Sequence, residues 1–391
     1  MRETDVLILG AGAAGLMCGI EAARRGRRVV VIDHARGPGE KIRISGGGRC
    51  NFTNLSTAPE RFLSENPKFA LSALRRFTPR DFIARVDRAG IAWHEKVLGQ
   101  LFCDGKATQI VDLLVRDLAE AGGVLEPGTG VGEIGHEGRF LVATDRGMIR
   151  AEKLVVATGG KSIPKIGATG LGYRIAAQFG IRVTETRPAL VPLTFAGEEL
   201  DRMAALAGVS VTARVSRGKV GFEEGLLFTH RGLSGPSILQ ISSYWREGEA
   251  ITVDLAAGQD AGAALRAARG EAGRQSVARG LARVLPERVA AMVAERADLK
   301  GNLADQSNAG LDRAAAAVHR CEVTPAGSEG YRTAEVTLGG VDTAALDART
   351  MEARAVPGLH FVGEVVDVTG WLGGYNFQWA WSSGWAAGQA V

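Results

Sequence analysis

Three side chains with exchangeable protons stand beside glycine-rich turns, and these are where chemistry can be done. Cys50 ends the run Lys41-Ile42-Arg43-Ile44-Ser45-Gly46-Gly47-Gly48-Arg49-Cys50-Asn51. His230 lies between Phe228-Thr229 and the turn before Pro236, and Tyr375 follows Gly373-Gly374. A histidine titrates near pH ~6.5 and is suited to proton exchange at neutral pH, although a hydrogen-bonded structural role is as common. The glycines around these groups carry a second chemistry. Gly10-Ala11-Gly12-Ala13-Ala14-Gly15 follows the apolar run Val6–Leu9 and precedes an Ala-rich helix, and a second apolar run, Val29–Ile32, ends on Asp33. Strand, Gly-x-Gly-x-x-Gly, helix, strand and acid within about 30 residues is a dinucleotide-binding pattern. Gly10 permits the turn, Gly12 lets backbone approach a pyrophosphate, and Gly15 lets the helix lie close to the strand. The helix start, with Ala13 and Ala14, presents unpaired N–H groups and partial positive charge to phosphates. Asp33 is placed to accept from an adenosine ribose, with His34 beside it.

Three further stretches agree with such a ligand. Residues 41–54 bracket three glycines with Lys41, Arg43 and Arg49, so Lys41, Ser45, Gly46, Gly47, Arg49, Cys50 and Asn51 are expected against a flat or anionic molecule. Leu154–Ala157 is an apolar strand ending in Thr158-Gly159-Gly160, where small residues leave space for a ligand. Near the far end, Leu359–Val362 is a strand closing on Gly363-Glu364, followed by Asp367 and by Gly373-Gly374-Tyr375-Asn376 at the start of a helix running from Phe377 to Gln389. That helix start can aim N–H groups at a redox ring where negative charge collects on reduction, an effect of about 0.3–2 kcal/mol. A nicotinamide dehydrogenase accounts for the first element but not the last. One extended molecule touched by both ends of the chain is FAD.

The segment 41–54 resembles the Lys-(x)3-Ser-Gly-Gly-Gly-Arg-Cys-Asn-x-Thr-Asn signature of the HI0933-like (YhiN/BaiN-type) FAD-dependent oxidoreductases, and the similarity runs along the whole chain. The resemblance implies a Rossmann-like α/β FAD/NAD(P)-binding domain with an inserted antiparallel β-barrel and a small helical subdomain. The expected division is 1–186 with 343–391 for the FAD domain, 187–258 with 321–342 for the barrel, and 259–320 for the helices. It also implies that Val131 meets the adenine through its backbone, that Gly363-Glu364 holds the ribityl chain, and that the insert decides the substrate. Leu226–Pro236 resembles a further family motif that would bring His230 to the flavin. Cys103 departs from the family, standing where many members have proline.

Size and composition frame these sites. The 391 residues hold 46% hydrophobic and 23% charged residues, ordinary for a globular chain with room for two or three domains. Glycine, at 53 residues, exceeds the usual ~7%. The opening apolar run is broken by its glycine turn, unlike a signal peptide, and no run reaches the ~20 residues of a membrane span, so a cytoplasmic chain without membrane contact is expected. Four cysteines show neither Cys-x-x-Cys nor zinc spacing, so no metal is expected. Net charge is +4, and residues 1–90 hold sixteen Lys/Arg against nine Asp/Glu. Such a surplus fits dinucleotide phosphates or a solvated face more readily than RNA, which stays possible but not favoured.

For the elements around the sites, residues 60–90 predict surface helices, Gly123–Ile134 one strand, and Phe140–Thr144 with Met148-Ile149 a hairpin. Trp379, Trp381 and Trp385 are expected to pack, with Ala380, Ser383, Ala386, Ala387 and Gly388 giving the last helix small residues for close contact. The leading expectation is an FAD reductase: NAD(P)H visits transiently, no second Gly-x-Gly-x-x-Gly being present, and hydride passes to an unidentified small-molecule C=C or C=O acceptor. Three alternatives follow from the resemblance and the composition: an amine oxidase using oxygen, a reductase of ribosomal RNA uracil, and a flavin binder without turnover. No stable protein partner is implied.

Overall fold

The computed structural model describes all residues, 1–391, and divides into two compact units, Met1–Arg187 with Val336–Val391, and Pro188–Glu335. Residues 336–342, placed by the sequence reading with the insert, fall in the first unit. Their hydrogen bonds show why: Thr337 N donates to Glu364 Oε1 (2.9 Å), Gly340 N to Thr184 Oγ1 (3.0 Å) and Val341 N to Val365 O (2.8 Å).

The first unit is built on a parallel sheet. Its strands lie side by side in the order Val124–Pro127, Val29–Asp33, Arg2–Leu9, Gly147–Val156, Leu359–Phe361. That is third, second, first, fourth, fifth along the chain, the order of a Rossmann sheet. Val6–Leu9 and Val29–Ile32 are buried on both faces, which is why they are continuous apolar runs and not alternating ones. Gly147–Val156 is one strand of ten residues, not a hairpin arm followed by a separate strand. Its first half pairs antiparallel with Phe140–Thr144, while Leu154–Val156 pair parallel with Leu359–Phe361. The expected strand Gly123–Ile134 is instead two, Val124–Pro127 and Val131–His136. The chain turns between them because Gly128 N and Thr129 N donate back to Ala35 O (2.8 Å) and Asp33 O (2.7 Å).

Residues 60–90 are less superficial than their charge pattern predicts. The helices Leu71–Arg76 and Pro79–Arg88 bury Leu74, Phe82 and Val86, and Phe62, Phe69 and Phe77 beside them are buried too. Phe82 stacks on Trp381 with ring centroids 4.2 Å apart, and Phe77 stacks on Trp385 at 6.0 Å. The tryptophans of the closing helix, Tyr375–Gly388, are packing residues. Their polar edges are satisfied, Trp379 Nε1 by Gly363 O (3.0 Å) and Trp381 Nε1 by Phe52 O (2.8 Å).

The closing helix lies on the opening helix, Ala13–Arg24, backbone against backbone. A Cβ on Gly384 would sit 2.4 Å from Ala14 O, and one on Gly388 would sit 2.8 Å from Cys18 O. The two contacts are four residues apart on both helices, so one turn of each repeats the same fit.

The second unit carries a seven-stranded antiparallel sheet in the order Cys321–Val323, Ile251–Asp254, Ser210–Arg217, Val220–Thr229, Gly232–Ser234, Leu193–Thr194, Gly327–Ser328. Its outermost strands are consecutive in the chain. Ser210–Arg217 alternates, burying Val211, Ala213 and Val215 on one face. The helices Ala261–Ala272, Val277–Leu281, Glu287–Arg296 and Asn308–His319 form the helical part. Asp260, Ser276 and Ser307 cap three of them through side-chain oxygens. His319 ties that part to the sheet, with Nδ1 2.8 Å from Asp254 Oδ1 and Nε2 accepting from Ala261 N (3.1 Å).

Two expectations follow. Gly384→Ala forces backbone apart and is expected to lower unfolding free energy by about 1–3 kcal/mol, read by urea denaturation. His360, in the last strand of the parallel sheet, is 1% exposed; burial holds its imidazole down at about 4, below the ordinary 6.5. The unfolded chain therefore binds the extra proton between those values. Stability falls as pH drops from 6.5 towards 4, by on the order of 3 kcal/mol, and His360→Gln should flatten that part of the profile.

Candidate functional site

The three motif glycines of the first unit are there for different reasons. A Cβ on Gly10 would lie 2.4 Å from Ala157 O, and one on Gly15 only 1.9 Å from Gly10 O, so both are demanded by the protein's own packing. A Cβ on Gly12 would meet nothing within 4 Å. Its backbone is extended, at φ −82° and ψ −170°, and any residue can adopt it. The protein's own packing does not need glycine there, and the space before it is open. No side chain caps the helix that follows, and the first amide donating within it is that of Leu16, to Gly12 O (3.0 Å). The N–H groups of Ala13, Ala14 and Gly15 thus point out of the helix end, at the positive pole of its dipole.

Asp33 shapes this turn. Its Oδ2 accepts from Ala11 N (2.7 Å) and its Oδ1 from Ala35 N (2.8 Å), with His34 Nδ1 at 3.4 Å. A carboxylate offers about four acceptor positions, which leaves capacity for a ribose hydroxyl. On the other side, the strand Gly147–Val156 leads into Thr158, whose buried Oγ1 has no partner. A hydroxyl left orphaned beside the glycine turn is costly unless a ligand pairs with it.

The glycine run 46–48 is not a free loop. Helix Glu40–Gly48 breaks at Ser45 (ψ 150°), whose Oγ donates to Ile42 O (2.8 Å). Gly46, Gly47 and Gly48 then take φ of 57°, 66° and 84°, the left-handed region that favours glycine. Gly46 is pressed on Phe102, while a Cβ on Gly47 or Gly48 would meet open space. Arg49 is exposed; Asn51 is buried at the start of a three-stranded sheet formed by Asn51–Asn54, Gln100–Cys103 and Trp93–Glu95.

Several expected ligand contacts are taken up by the protein. Lys41 Nζ lies 2.5 Å from both Glu364 Oε2 and Ser162 Oγ, so the expected cation and the expected acid neutralise each other. Glu364 Oε1 also accepts from Thr337 N, which locks the Gly363-Glu364 turn to the strand Val336–Leu338. Gly160 packs against the same two side chains, Thr337 and Glu364. Asp367 is buried, accepts from Glu65 N (2.9 Å), and its carboxyl is pushed up by burial. Val131 opens its strand opposite Thr144, where the neighbouring Gly130 N donates to Asp145 Oδ2 (3.0 Å).

Gly373 and Gly374 form the uncapped start of the closing helix, and Asn376 Oδ1 closes the turn by accepting from Gly370 N (2.8 Å). Gly373 abuts Gln100 and Gly374 abuts Thr53 O, while Phe377 stacks on Trp381 at 5.7 Å. Tyr375 is buried, with its hydroxyl accepting from Arg61 Nη1 (3.0 Å). The Arg61 guanidinium lies 5.1 Å from the Trp371 ring centre and 5.7 Å from that of Tyr375, and no carboxylate pairs with it. The sequence reading missed Arg61: it stands in no glycine motif, and only folding brings it to residue 375.

The three expected proton carriers are not equivalent. Cys50 is fully buried, and burial pushes its thiol far up; this corrects its candidacy as an acid. His230, in the second unit, occupies with Arg231 the two-residue tip of the hairpin Val220–Thr229/Gly232–Ser234, exposed and without a side-chain partner. Tyr375 stands at the helix start beside a cation. No cluster of three His, Cys, Asp or Glu side chains is arranged to hold a metal, and no helix is long and apolar enough to cross a membrane.

The chain matches the model of the HI0933-like protein Rossmann domain over residues 4–390. It is 50% identical to the ribosomal RNA dihydrouridine synthase of Escherichia coli over 397 aligned residues, spanning 100% of this chain and 98% of that protein. Identity to the protein of the same name from Haemophilus influenzae is 44%, covering 100% and 99%. A 3-dehydro-bile acid delta(4,6)-reductase from Clostridium scindens is 26% identical, covering 98% of each. Among solved structures, an E. coli quinol fumarate reductase superposes with a TM-score of 0.51 at 17% identity, covering 100% of this chain and 70% of that one, which is a likeness of fold. With the glycine cradle, the Rossmann strand order and the full-length match together, the chain belongs to the HI0933-like family of FAD-dependent oxidoreductases.

Proposed function

We propose that this protein reduces uracil in ribosomal RNA to dihydrouridine, adding hydride and proton across the C5=C6 bond. The observation that carries this is the 50% identity, end to end, with a ribosomal RNA dihydrouridine synthase, against 26% with the bile-acid reductase. The sequence alone placed RNA behind a small-molecule acceptor, because a net charge of +4 does not single out a nucleic acid. The hydride would come from FAD when bound, with NAD(P)H as the transient reductant.

The residues present fit that cofactor. The open space at Gly12, the outward amides of Ala13–Gly15 and the unpartnered Thr158 hydroxyl are suited to the pyrophosphate side. Asp33 suits the ribose, Gly47 and Gly48 a flat ring system, and the helix start at Gly374–Asn376 its electron-rich edge. Arg61 and Tyr375 act on the substrate. Hydride arriving at C6 of a uracil leaves negative charge on O4, which a guanidinium without a carboxylate partner is placed to stabilise. The Tyr375 hydroxyl, held by Arg61, delivers the proton to C5. A ribosomal RNA substrate is in keeping with a cytoplasmic enzyme.

The test is turnover with unmodified ribosomal RNA and NADH or NADPH, scored as dihydrouridine by mass spectrometry of the digested RNA. Reduction of an enone with none of uracil would overturn the RNA reading. Tyr375→Phe is expected to keep its flavin and lose on the order of 10²-fold in dihydrouridine formation. Gly12→Val is expected to fold with near wild-type stability but to be purified with little FAD; full retention of the yellow cofactor would remove Gly12 from the site.

A further inference from the structure

The hairpin tip between Trp93–Glu95 and Gln100–Cys103 is built against its own stability. Gln100 N donates to Val97 O (3.2 Å), closing a four-residue turn whose central pair is Leu98 and Gly99. Both have positive φ, 57° and 76°, as in the tight hairpin turns that select Asn-Gly. A leucine in the left-handed region is strained by about 1 kcal/mol, and an asparagine would relieve it. The side chains shown to solvent are also the wrong kind for a surface turn: Val97 is 58% exposed, Leu98 60%, and Leu55, which donates its N–H to Gly99 O (2.9 Å), 47%. Strain and exposed apolar surface together mark a part kept for contact.

This tip is wired to the cofactor end. Asn54, 1% exposed, donates through one amide nitrogen to both Leu98 O (3.2 Å) and Gly373 O (2.8 Å), and its Oδ1 accepts from Ser56 N (2.8 Å). A single buried carboxamide thus fixes the leucine turn to the glycine turn that opens the closing helix. The cation beside the tip is available to a polyanion. Lys96, next to the tip, is exposed, lies 5.4 Å over the Phe102 ring and has no carboxylate partner; at the base of the hairpin Arg49 and Lys106 also lack one, while Asp104 is paired with His94 (2.6 Å) and Asp87 accepts from Trp93 Nε1 (2.7 Å), leaving Glu95.

We propose that Val97 and Leu98 form an apolar wedge that enters the base stack of the RNA beside the target uracil and holds that base out of the stack. The inference rests on the RNA reading above. A ring buried between stacked neighbours cannot present C6 to a flavin, and extruding it leaves a gap that an aliphatic side chain fills. Lys96, next to the wedge, then meets a flanking phosphate.

Leu98→Asn separates the roles, because it relaxes the turn while removing the wedge. It is expected to melt at or above the wild-type temperature, to keep its FAD, and to lose about ten-fold in rate on folded, protein-free ribosomal RNA. Its rate on oligouridine, where nothing must be unstacked, should equal that of wild type, and Leu98→Met should recover the rate on folded RNA. An unchanged rate on folded RNA, or an equal loss on oligouridine, would overturn the wedge while leaving the uracil reduction standing. A loss confined to ribosomal particles would also overturn it, since the tip would then touch a ribosomal protein. Wild type making no dihydrouridine from any of these RNAs would sink the function and the wedge with it.

Discussion

The first unit depends on two helices from opposite ends of the chain touching through bare backbone. Gly384 and Gly388 bring the closing helix within van der Waals reach of the Ala14 and Cys18 carbonyls. Side chains at either position would push the helices apart, and dispersion forces decay steeply over such a gap. Ala14 also touches Gly363, where a Cβ would lie 2.8 Å from its own. One small residue on the first turn of the opening helix therefore meets both the Gly363-Glu364 turn and the last helix. The opening helix, the Gly363-Glu364 turn and the closing helix are all referenced to that junction.

Around the junction, polar side chains fix loops to one another. Glu364 joins Lys41, Ser162 and Thr337; Asn54 joins Leu98 and Gly373; Gln378 accepts from Thr53 Oγ1 (2.6 Å) and donates to Phe77 O (3.0 Å). These groups are buried or nearly so, where a satisfied network rigidifies its surroundings and an unsatisfied one is costly. The motif residues of this family thus divide into those that leave space and those that hold the edges of that space still.

Sequence made the space-leaving residues plain, because a glycine between strand and helix has few explanations. The Rossmann strand, turn and helix, the far-end glycine turn and the packing role of the tryptophans were legible for that reason. The edge-holding residues were harder to read, because a lysine or an acid in a motif looks the same whether its partner is a ligand or, as for Lys41 and Glu364, another residue over three hundred positions away. Cys50 was misplaced in the same way: its burial comes from the surrounding core, not from its neighbours in the chain. Arg61 and Asn54 lay beyond local reasoning altogether. The strand Gly147–Val156 was cut in two because its neighbours change halfway along, and pairing leaves no trace in one strand's own residues.

The interruption of the first unit by residues 188–335 has a consequence for how the polypeptide acquires its shape during synthesis. The second unit is continuous, so its antiparallel sheet and helices are complete in the chain before the last fifty-six residues, Val336–Val391, have been made. The first unit must meanwhile wait with its opening helix lacking the partner that covers Ala14 and Cys18. Its long-range pairing is slow to form by topology alone, and an apolar helix face left bare until translation ends is the point at which a nascent chain would recruit a chaperone.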